Sequence, residues 1–373
     1  MTGSEMSVGD EIARVDALRP HVVLLGAGAS KAALPNGDRQ GRPVPLLREV
    51  AIDLRLADRF PSDLQELAKT DFEAAYSRIY DVATGTAAEI ECEVATYFAS
   101  LDLPDAPTIY DSLLLSLRSK DAIFTFNWDP FLVQSRRRLL EVDEVLDLPR
   151  HYFLHGNVMV GFCPDDRLSG LAGSRCRRYG RCLEPSRLLF PVERKNYQDG
   201  GFFESQWNAI ASSLSRCFML SIFGYSAPTT DVEAVNLLRQ GWGDPDRRNM
   251  EQTEIISRPG ANDDALRETW APFINSHHYE IHDSFYDSWI GRHPPHRRGL
   301  HQPVHRGEVH RREPRPARVV DSCRASRVVH AAAHRGAHLI DRTPSRRPRA
   351  ARSPASSKRA PPRPTVMSVV LHG

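Results

Sequence analysis

The sequence predicts an α/β protein: a Rossmann-like, doubly wound, mainly parallel sheet with a helical insertion, followed by a disordered basic C-terminal tail. Three observations carry this. Two continuous apolar runs, 21–25 and 217–223, each break into a glycine turn, the pattern of parallel strands buried on both faces. Strand-like runs alternate with helical periodicities over most of the chain. Aromatic residues stop at Trp289, while eleven of the 27 prolines and nine of the 15 histidines lie between His293 and Gly373. That last stretch lacks the bulky apolar groups whose burial offsets the entropy of ordering.

The formal net charge of +2 hides a division. From Arg292 onward there are nineteen Lys and Arg against four Asp and Glu, whereas the residues before it hold 30 basic and 43 acidic groups. The body is acidic and the tail strongly basic. A nucleic-acid contact through the tail is left open but not expected, because no aromatic residues interleave its charges. Its Arg/His/Pro/Ala/Ser bias is equally what a high-GC gene translated in a wrong frame would encode. No apolar run approaches the roughly 18 residues of a membrane-spanning helix, and residues 1–16 are too acidic and polar for a signal peptide. A cytoplasmic protein without membrane contact is expected. The six cysteines, Cys92, Cys163, Cys176, Cys182, Cys217 and Cys323, are too scattered for a secreted disulfide framework, so reduced thiols are expected.

In chain order, the first strand at 21–25 enters Gly26-Ala27-Gly28-Ala29-Ser30, where glycines would let backbone N–H groups approach a phosphate ahead of a helix N-terminus. An ordinary strand-to-helix turn reads the same way. Residues 35–44 are dense in turn formers and charge and form an exposed loop, either a cover over a ligand or a solvated connection. Helical patterns follow at 45–56, 71–83, 87–101 and 108–117, with no strand between them. A second strand at 122–126 leads to a helix over 131–140 with Pro130 in its first turn. A third strand spans 151–154, which 157–162 either extends or turns back on. Residues 163–185 read as an aperiodic, Arg-rich loop carrying three cysteines. An amphipathic helix at 201–216 precedes the strand 217–223 and its turn Gly224-Tyr225-Ser226-Ala227-Pro228. A helix over 231–238 has Asp231 in its first turn, where the dipole favours an acid. Strands at 253–257 and 278–281 bracket a helix at 264–274.

Asn127 and Asp129 follow the second strand, and His155 follows the third. In open α/β sheets such groups face the ligand crevice, so the three are expected to converge on one bound molecule. Each has a plainer reading. Asn127 and Asp129 can cap the helix that starts at Pro130, His155 can be a hydrogen-bonded turn residue, and Asp231 can be a helix-start residue.

Four motifs, Gly26-Ala27-Gly28-Ala29-Ser30, Thr125-Phe126-Asn127-Trp128-Asp129, Leu154-His155-Gly156 and Phe223 through Asp231, occur in the order found in the sirtuin-like superfamily. The chain most resembles the bacterial sirtuin-like, defence-associated branch whose members cleave NAD, over roughly 22–293. The resemblance implies that Gly26, Ala27, Gly28 and Ser30 bind the NAD pyrophosphate and neighbouring ribose. It implies that Asn127 and Asp129 stand around the nicotinamide and its ribose, and that His155 is the catalytic histidine. Gly224 and Ser226 would form the second phosphate and ribose turn, with Asp231 beside it. Phe126-Asn127-Trp128 departs from protein-deacylating sirtuins, which carry Gln before this Asn and a small aliphatic residue after it. The bulky neighbours argue against an acyl-lysine tunnel.

The chemistry agrees with these roles. Cleaving the nicotinamide glycosidic bond develops positive charge on the ribose, so a site needs dry walls, a carboxylate or dipole, and a positioned nucleophile. His155, with an ordinary pKa of about 6.5, suits a general base, and Asn127 suits a water or ribose positioner. Sirtuins commonly carry a zinc ribbon of paired C-x-x-C units after the catalytic histidine. Here Cys163, Cys176 and Cys182 form no such pair, and Tyr179 stands where a partner of Cys176 would be. These three cysteines are the only metal candidates, and an unmetallated loop is expected.

The chain accordingly divides into a lead-in (1–19), a sirtuin-like NAD-binding domain (20–291, with the insertion at about 45–118 and the cysteine loop at about 163–185) and the tail (292–373). The expected function is NAD hydrolysis to nicotinamide and ADP-ribose in antiphage defence, triggered by an activator, a partner protein or homo-oligomerisation. An NAD-dependent deacylase and a non-catalytic NAD or ADP-ribose sensor acting through the helical block are the alternatives.

Overall fold

The computed structural model describes residues 19–80, 82–165, 168–190, 201–227, 231–244, 247–248, 251–274 and 278–292. Residues 1–18 of the lead-in, residues 293–373 of the basic tail with Cys323, and residues 228–230 of the fourth motif lie outside them.

The chain enters β1 (His21–Leu25) and turns at once into α1 (Ala27–Ala33). The helical block then runs through α2 (Val50–Asp53), α3 (Gln65–Thr70), α4 (Phe72–Tyr80), α5 (Thr84–Ala99) and α6 (Ile109–Leu115). Next come β2 (Ala122–Thr125), α7 (Phe131–Val142) and β3 (Arg150–Phe153). The short strands β4 (Val160–Phe162), β5 (Ser169–Leu171) and β6 (Glu184–Pro185) follow. The second half alternates regularly: α8 (Phe202–Leu214), β7 (Met219–Phe223), α9 (Val232–Trp242), β8 (Gln252–Ile256), α10 (Asp263–Trp270), β9 (Tyr279–His282) and α11 (Trp289–Arg292).

Six strands form one parallel sheet in the order β3-β2-β1-β7-β8-β9. The period-2 alternation of a strand decides which core each residue joins. Val23, Leu25, Ile123, Phe223 and Ile256 face a core shared with the helical block and α7. Val22, Leu24, Phe124, Leu220, Ile222 and Ile255 face a second core with Trp207, Ile210 and Leu214 of α8, Leu238 and Trp242 of α9, and Trp270 of α10. Burial on both faces favours apolar residues, which is why Val22 to Leu25 form an unbroken apolar run; the buried polar residues His21 of β1 and Ser221 of β7 hydrogen-bond to each other.

The chain winds outward from β1 to β2 and β3, returns to place β7 on the other side of β1, and winds outward again. The strand order therefore reverses between β1 and β7, and the crevice at their carboxyl ends is the place where such sheets take ligands.

Departures from the expected elements have local causes. The helix expected at 45–56 is a 3-10 turn (Leu47–Glu49) followed by α2, and Arg55 at φ +56° ends it. The helix expected at 264–274 gives way to a 3-10 turn (Ala271–Phe273), because Pro272 has no N–H to continue the ladder. Residues 157–162 neither extend β3 nor pair with it. Instead β4 pairs antiparallel with β5 and β6, so the expected loop 163–185 is a small three-stranded module. Strands of two and three residues leave no readable alternation. The loop at 35–44 is a fixed turn: the buried Asp38 carboxylate accepts from the N–H groups of Gln40, Arg42 and Asp102 and from the Arg42 guanidinium.

Candidate functional site

The two glycine turns meet at the switch point. Gly26 N–H donates to Phe223 O (3.0 Å), Gly28 N–H to Gly224 O (2.9 Å), and Gly224 N–H to Ile256 O (3.0 Å). A Cβ on Gly26 would lie 2.5 Å from Gly224 O, and one on Gly28 2.9 Å from Gly224 Cα. These glycines therefore let two turns pack backbone on backbone. Their amides, expected to face a pyrophosphate, already have backbone acceptors; Ala27, the first residue of α1, stands between them. On the second turn Ser226 is exposed, and Ala227 beside it holds φ +48°, a left-handed conformation uncommon for a residue with a side chain.

Beyond β2, Asn127 is buried and its amide orientation is determined by its partners. The side-chain nitrogen lies 3.0 Å from Gly26 O, which can only accept, so this atom is the NH2 group. It also faces Ser30 Oγ (2.9 Å) and Tyr110 Oη (3.3 Å). Asn127 Oδ1 points the other way, buried, and has no hydrogen-bond partner among the described residues. A buried carbonyl dipole left unpaired is costly in a folded protein unless a ligand or water completes it.

Asp129 stands two residues on. Its Oδ2 accepts from Ser30 Oγ (2.5 Å) and its Oδ1 from Phe131 N–H (3.3 Å). The carboxylate thus serves both the start of α7 and the site. Asn157 ties the ends of β2 and β3 together: its side-chain NH2 donates to Asp129 O (2.6 Å), and Val158 N–H donates to Trp128 O (3.0 Å).

Complete burial raises the Asp129 pKa from its ordinary 3.8 to about 6, against the pull of the Ser30 hydroxyl and the Phe131 amide. Between those two values the folded chain holds a proton that the unfolded chain has lost. This group's contribution to stability is therefore present below pH 4 and lost as pH rises through 6, on the order of 3 kcal/mol at about 1.4 kcal/mol per pH unit. Asp129→Asn is expected to flatten that fall, measured as urea midpoints between pH 4.5 and 7; an unchanged slope would contradict it.

Beyond β3, His155 sits at a sharp turn. Gly156 at φ +79° follows it, and a Cβ there would lie 1.9 Å from Arg187 O. Leu189 N–H donates to His155 O (2.9 Å) and holds the turn from behind. The imidazole Nε2 lies 3.7 Å from Asp231 Oδ2, too long for a hydrogen bond but close enough for the charge to orient the ring. Tyr225 Oη donates to the same Asp231 oxygen (2.9 Å). Burial and the Asp231 charge push the Tyr225 phenol well above its ordinary pKa, so it remains a donor. Phe126 walls this pair, edge-on to His155 (4.8 Å between ring centroids) and stacked on Tyr225 (4.0 Å).

The structure therefore brings Ser30, Asn127 and Asp129 into one hydrogen-bonded group and His155 and Asp231 into another, with Phe126 between β2 and the second group. Asp231 was expected at a helix start. It occupies the N-cap of α9, but its side chain makes no capping bond and turns inward to Tyr225 and His155. Tyr110, Asn157 and Tyr225 were not anticipated. Tyr110 fell inside a helical pattern that assigns an aromatic residue to the core, and the others stood beside residues already singled out.

Cys163 and Cys176 are buried with Leu183 in a small apolar cluster, whereas Cys182 is exposed. Among the described residues no group of three His, Cys, Asp or Glu could hold a metal ion. A surface cavity of about 440 Å³, lined by Asn236, Arg239, Gln240, Gly243 and Pro272, lies toward the far end of α9 from Asp231. It carries one charged side chain, and the convergent polar groups are at the strand ends instead.

No protein-family model and no curated protein matches the chain. Among solved structures, an ADP-ribose complex of a mutant Sir2 homologue is 12% identical, with 83% of this chain and 100% of that chain covered and a TM-score of 0.33. A Sir2 homologue–NAD complex is 13% identical, with 83% and 97% covered and a TM-score of 0.32. A Sir2 complex with a p53 peptide and NAD+ is 12% identical, with 82% and 100% covered and a TM-score of 0.36.

Proposed function

We propose that the chain cleaves the nicotinamide glycosidic bond of NAD, giving nicotinamide and ADP-ribose. The observation that carries this reading is Asn127 Oδ1, a buried acceptor without a partner among the described residues, held at the switch point of a parallel sheet. It suits a ribose hydroxyl or an attacking water, both of which donate. Bond cleavage builds positive charge on the ribose, and in this reading the Asn127 carbonyl dipole and the Asp129 carboxylate offset it. His155 takes the proton of the attacking water, with Asp231 stabilising the imidazolium that results. Asp129 titrates near pH 6, so it is mainly ionised at neutral pH. The four ordered motifs, resembling the sirtuin-like superfamily, support the same reading.

The aromatic packing of Phe126, Tyr225 and Trp207 beside His155 favours water over an acyl-lysine acceptor. The test is nicotinamide release from NAD by the full chain, with and without an acetyl-lysine peptide. Release without peptide is expected. Release only with peptide would mean a deacylase, and NAD binding without release under any condition would mean a sensor. The antiphage setting and activation by self-assembly or a partner belong to this proposal through the motif resemblance, so chain concentration is varied in the assay.

A further inference from the structure

We infer that Tyr110, supplied by α6 of the helical block, is a positioning residue of this site: its hydroxyl fixes Ser30 and Asn127 so that Asn127 Oδ1 is presented to substrate. The inference rests on the NAD-cleaving reading and adds to it a residue from outside the four motifs.

The hydrogen count leaves little freedom. Asn127 has two amide hydrogens and three acceptors in reach: Gly26 O, Ser30 Oγ and Tyr110 Oη. Ser30 has one hydroxyl hydrogen, which an ionised Asp129 takes at 2.5 Å. The Ser30 oxygen must then accept, and Tyr110 Oη at 2.6 Å is its donor. Tyr110 in turn can accept from Asn127. Every hydrogen of this group is spent internally, all on one side of the Asn127 amide, and Oδ1 is the atom left facing away. The same count shows that Ser30, expected to donate to NAD, has already given its hydrogen to Asp129. Its contact with a ligand requires this chain of bonds to turn over.

Tyr110 is held where this arrangement needs it. Its ring is buried in the core between the sheet and the helical block. The neighbouring Asp111 is a buried hub. Its Oδ2 accepts from Thr108 N–H (2.6 Å), Thr108 Oγ1 (3.0 Å) and the Arg138 guanidinium, and its Oδ1 from Ser135 Oγ (2.7 Å). Ser135 and Arg138 belong to α7, the helix that begins directly after Asp129 and Pro130. The start of α6 is thus pinned to the middle of α7, which holds Tyr110 near the strand end that carries Asp129. Tyr110 is also the titratable side chain set against Asp129 across Ser30. Burial and the Asp129 charge raise its phenol pKa, so the hydroxyl stays a donor. Donation by Tyr110 into Ser30 strengthens the Ser30 bond to Asp129, since linked hydrogen bonds polarise one another.

The test is Tyr110→Phe in the full chain, which keeps the ring and removes only the hydroxyl. With NAD as substrate, kcat is expected to fall roughly tenfold, with KM within about twofold, the scale of one lost orienting hydrogen bond. The acid limb of the kcat profile is expected to move to higher pH, because Asp129 loses part of what stabilises its charge. If wild type is active, Asn127→Ala is inactive, and Tyr110→Phe matches wild type in kcat and pH profile, the inference is overturned while the NAD-cleaving reading stands. If wild type releases no nicotinamide, the pH dependence of thermal unfolding still decides the positioning. The Asp129 transition moves upward in Tyr110→Phe if the hydroxyl acts through Ser30, and stays in place if it does not.

Discussion

His155→Ala is expected to lower nicotinamide release by about 10²–10⁴-fold, the contribution of a positioned general base, while NAD binding stays within a few-fold of wild type. The imidazole supplies a ring nitrogen as proton acceptor, and the Asp231 carboxylate at 3.7 Å stabilises the charge it then carries. Asp231→Asn keeps the shape and the Tyr225 contact but removes that charge, so a smaller fall, roughly tenfold, is expected. Rates come from timed chromatographic measurement of nicotinamide, and binding from calorimetry on the same preparations. A fully active His155→Ala would mean that the histidine serves the turn and not the chemistry.

Gly224→Ala is expected to be strongly destabilising, because it adds a methyl group where the two turns meet. Gly224 sits at φ +65°, where a residue with a Cβ is strained by about 1–2 kcal/mol. The added Cβ would also lie 2.1 Å from Ala29 N and 2.4 Å from Gly28 C, both backbone atoms that cannot rotate away. Separating the two turns undoes the Gly28 bond to Gly224 O, and a total of about 3–5 kcal/mol follows, in the range reserved for core overpacking with backbone strain. Gly41→Ala is the matched control: it has φ +74° and nothing within 4 Å of its Cβ position, so it carries strain without collision. Urea unfolding of the two variants separates these effects. Equal losses would show that the turns give way to each other easily.

Both expectations rest on how the sequence specifies the two halves of the sheet. The strands β1 and β7 were legible because burial on both faces leaves them almost wholly apolar, His21 and Ser221 apart, a pattern no amphipathic helix of that length produces. Asn127 and His155 were legible as polar residues just beyond the carboxyl ends of β2 and β3, the end where open α/β sheets take ligands. The helical block was legible only in outline. Its first expected helix is interrupted by Arg55 in a left-handed conformation, which an arginine codon does not advertise. The module around β4 escaped notice because its strands are two or three residues long and its cysteines lack a spacing that would organise them. Asp231 was legible as a helix-start residue but not in its contacts. An aspartate before a helix is ordinarily a cap, and only the packed structure shows its carboxylate turned toward Tyr225. Tyr110 lies 17 residues from Asn127 in sequence, on a different element, and its hydroxyl meets the site only because Asp111 anchors α6 to α7.

One atom, Asn127 Oδ1, decides whether this site acts on NAD. The most direct measurement is nicotinamide release by the wild-type chain and by Asn127→Ala at saturating NAD, with NAD binding recorded in parallel. The expected result is equimolar nicotinamide and ADP-ribose from wild type without any peptide, and release at least 100-fold slower from a folded, NAD-binding Asn127→Ala, a loss comparable to removing one transition-state dipole. Undiminished release from Asn127→Ala, or NAD bound and left intact by wild type at every chain concentration, would contradict it.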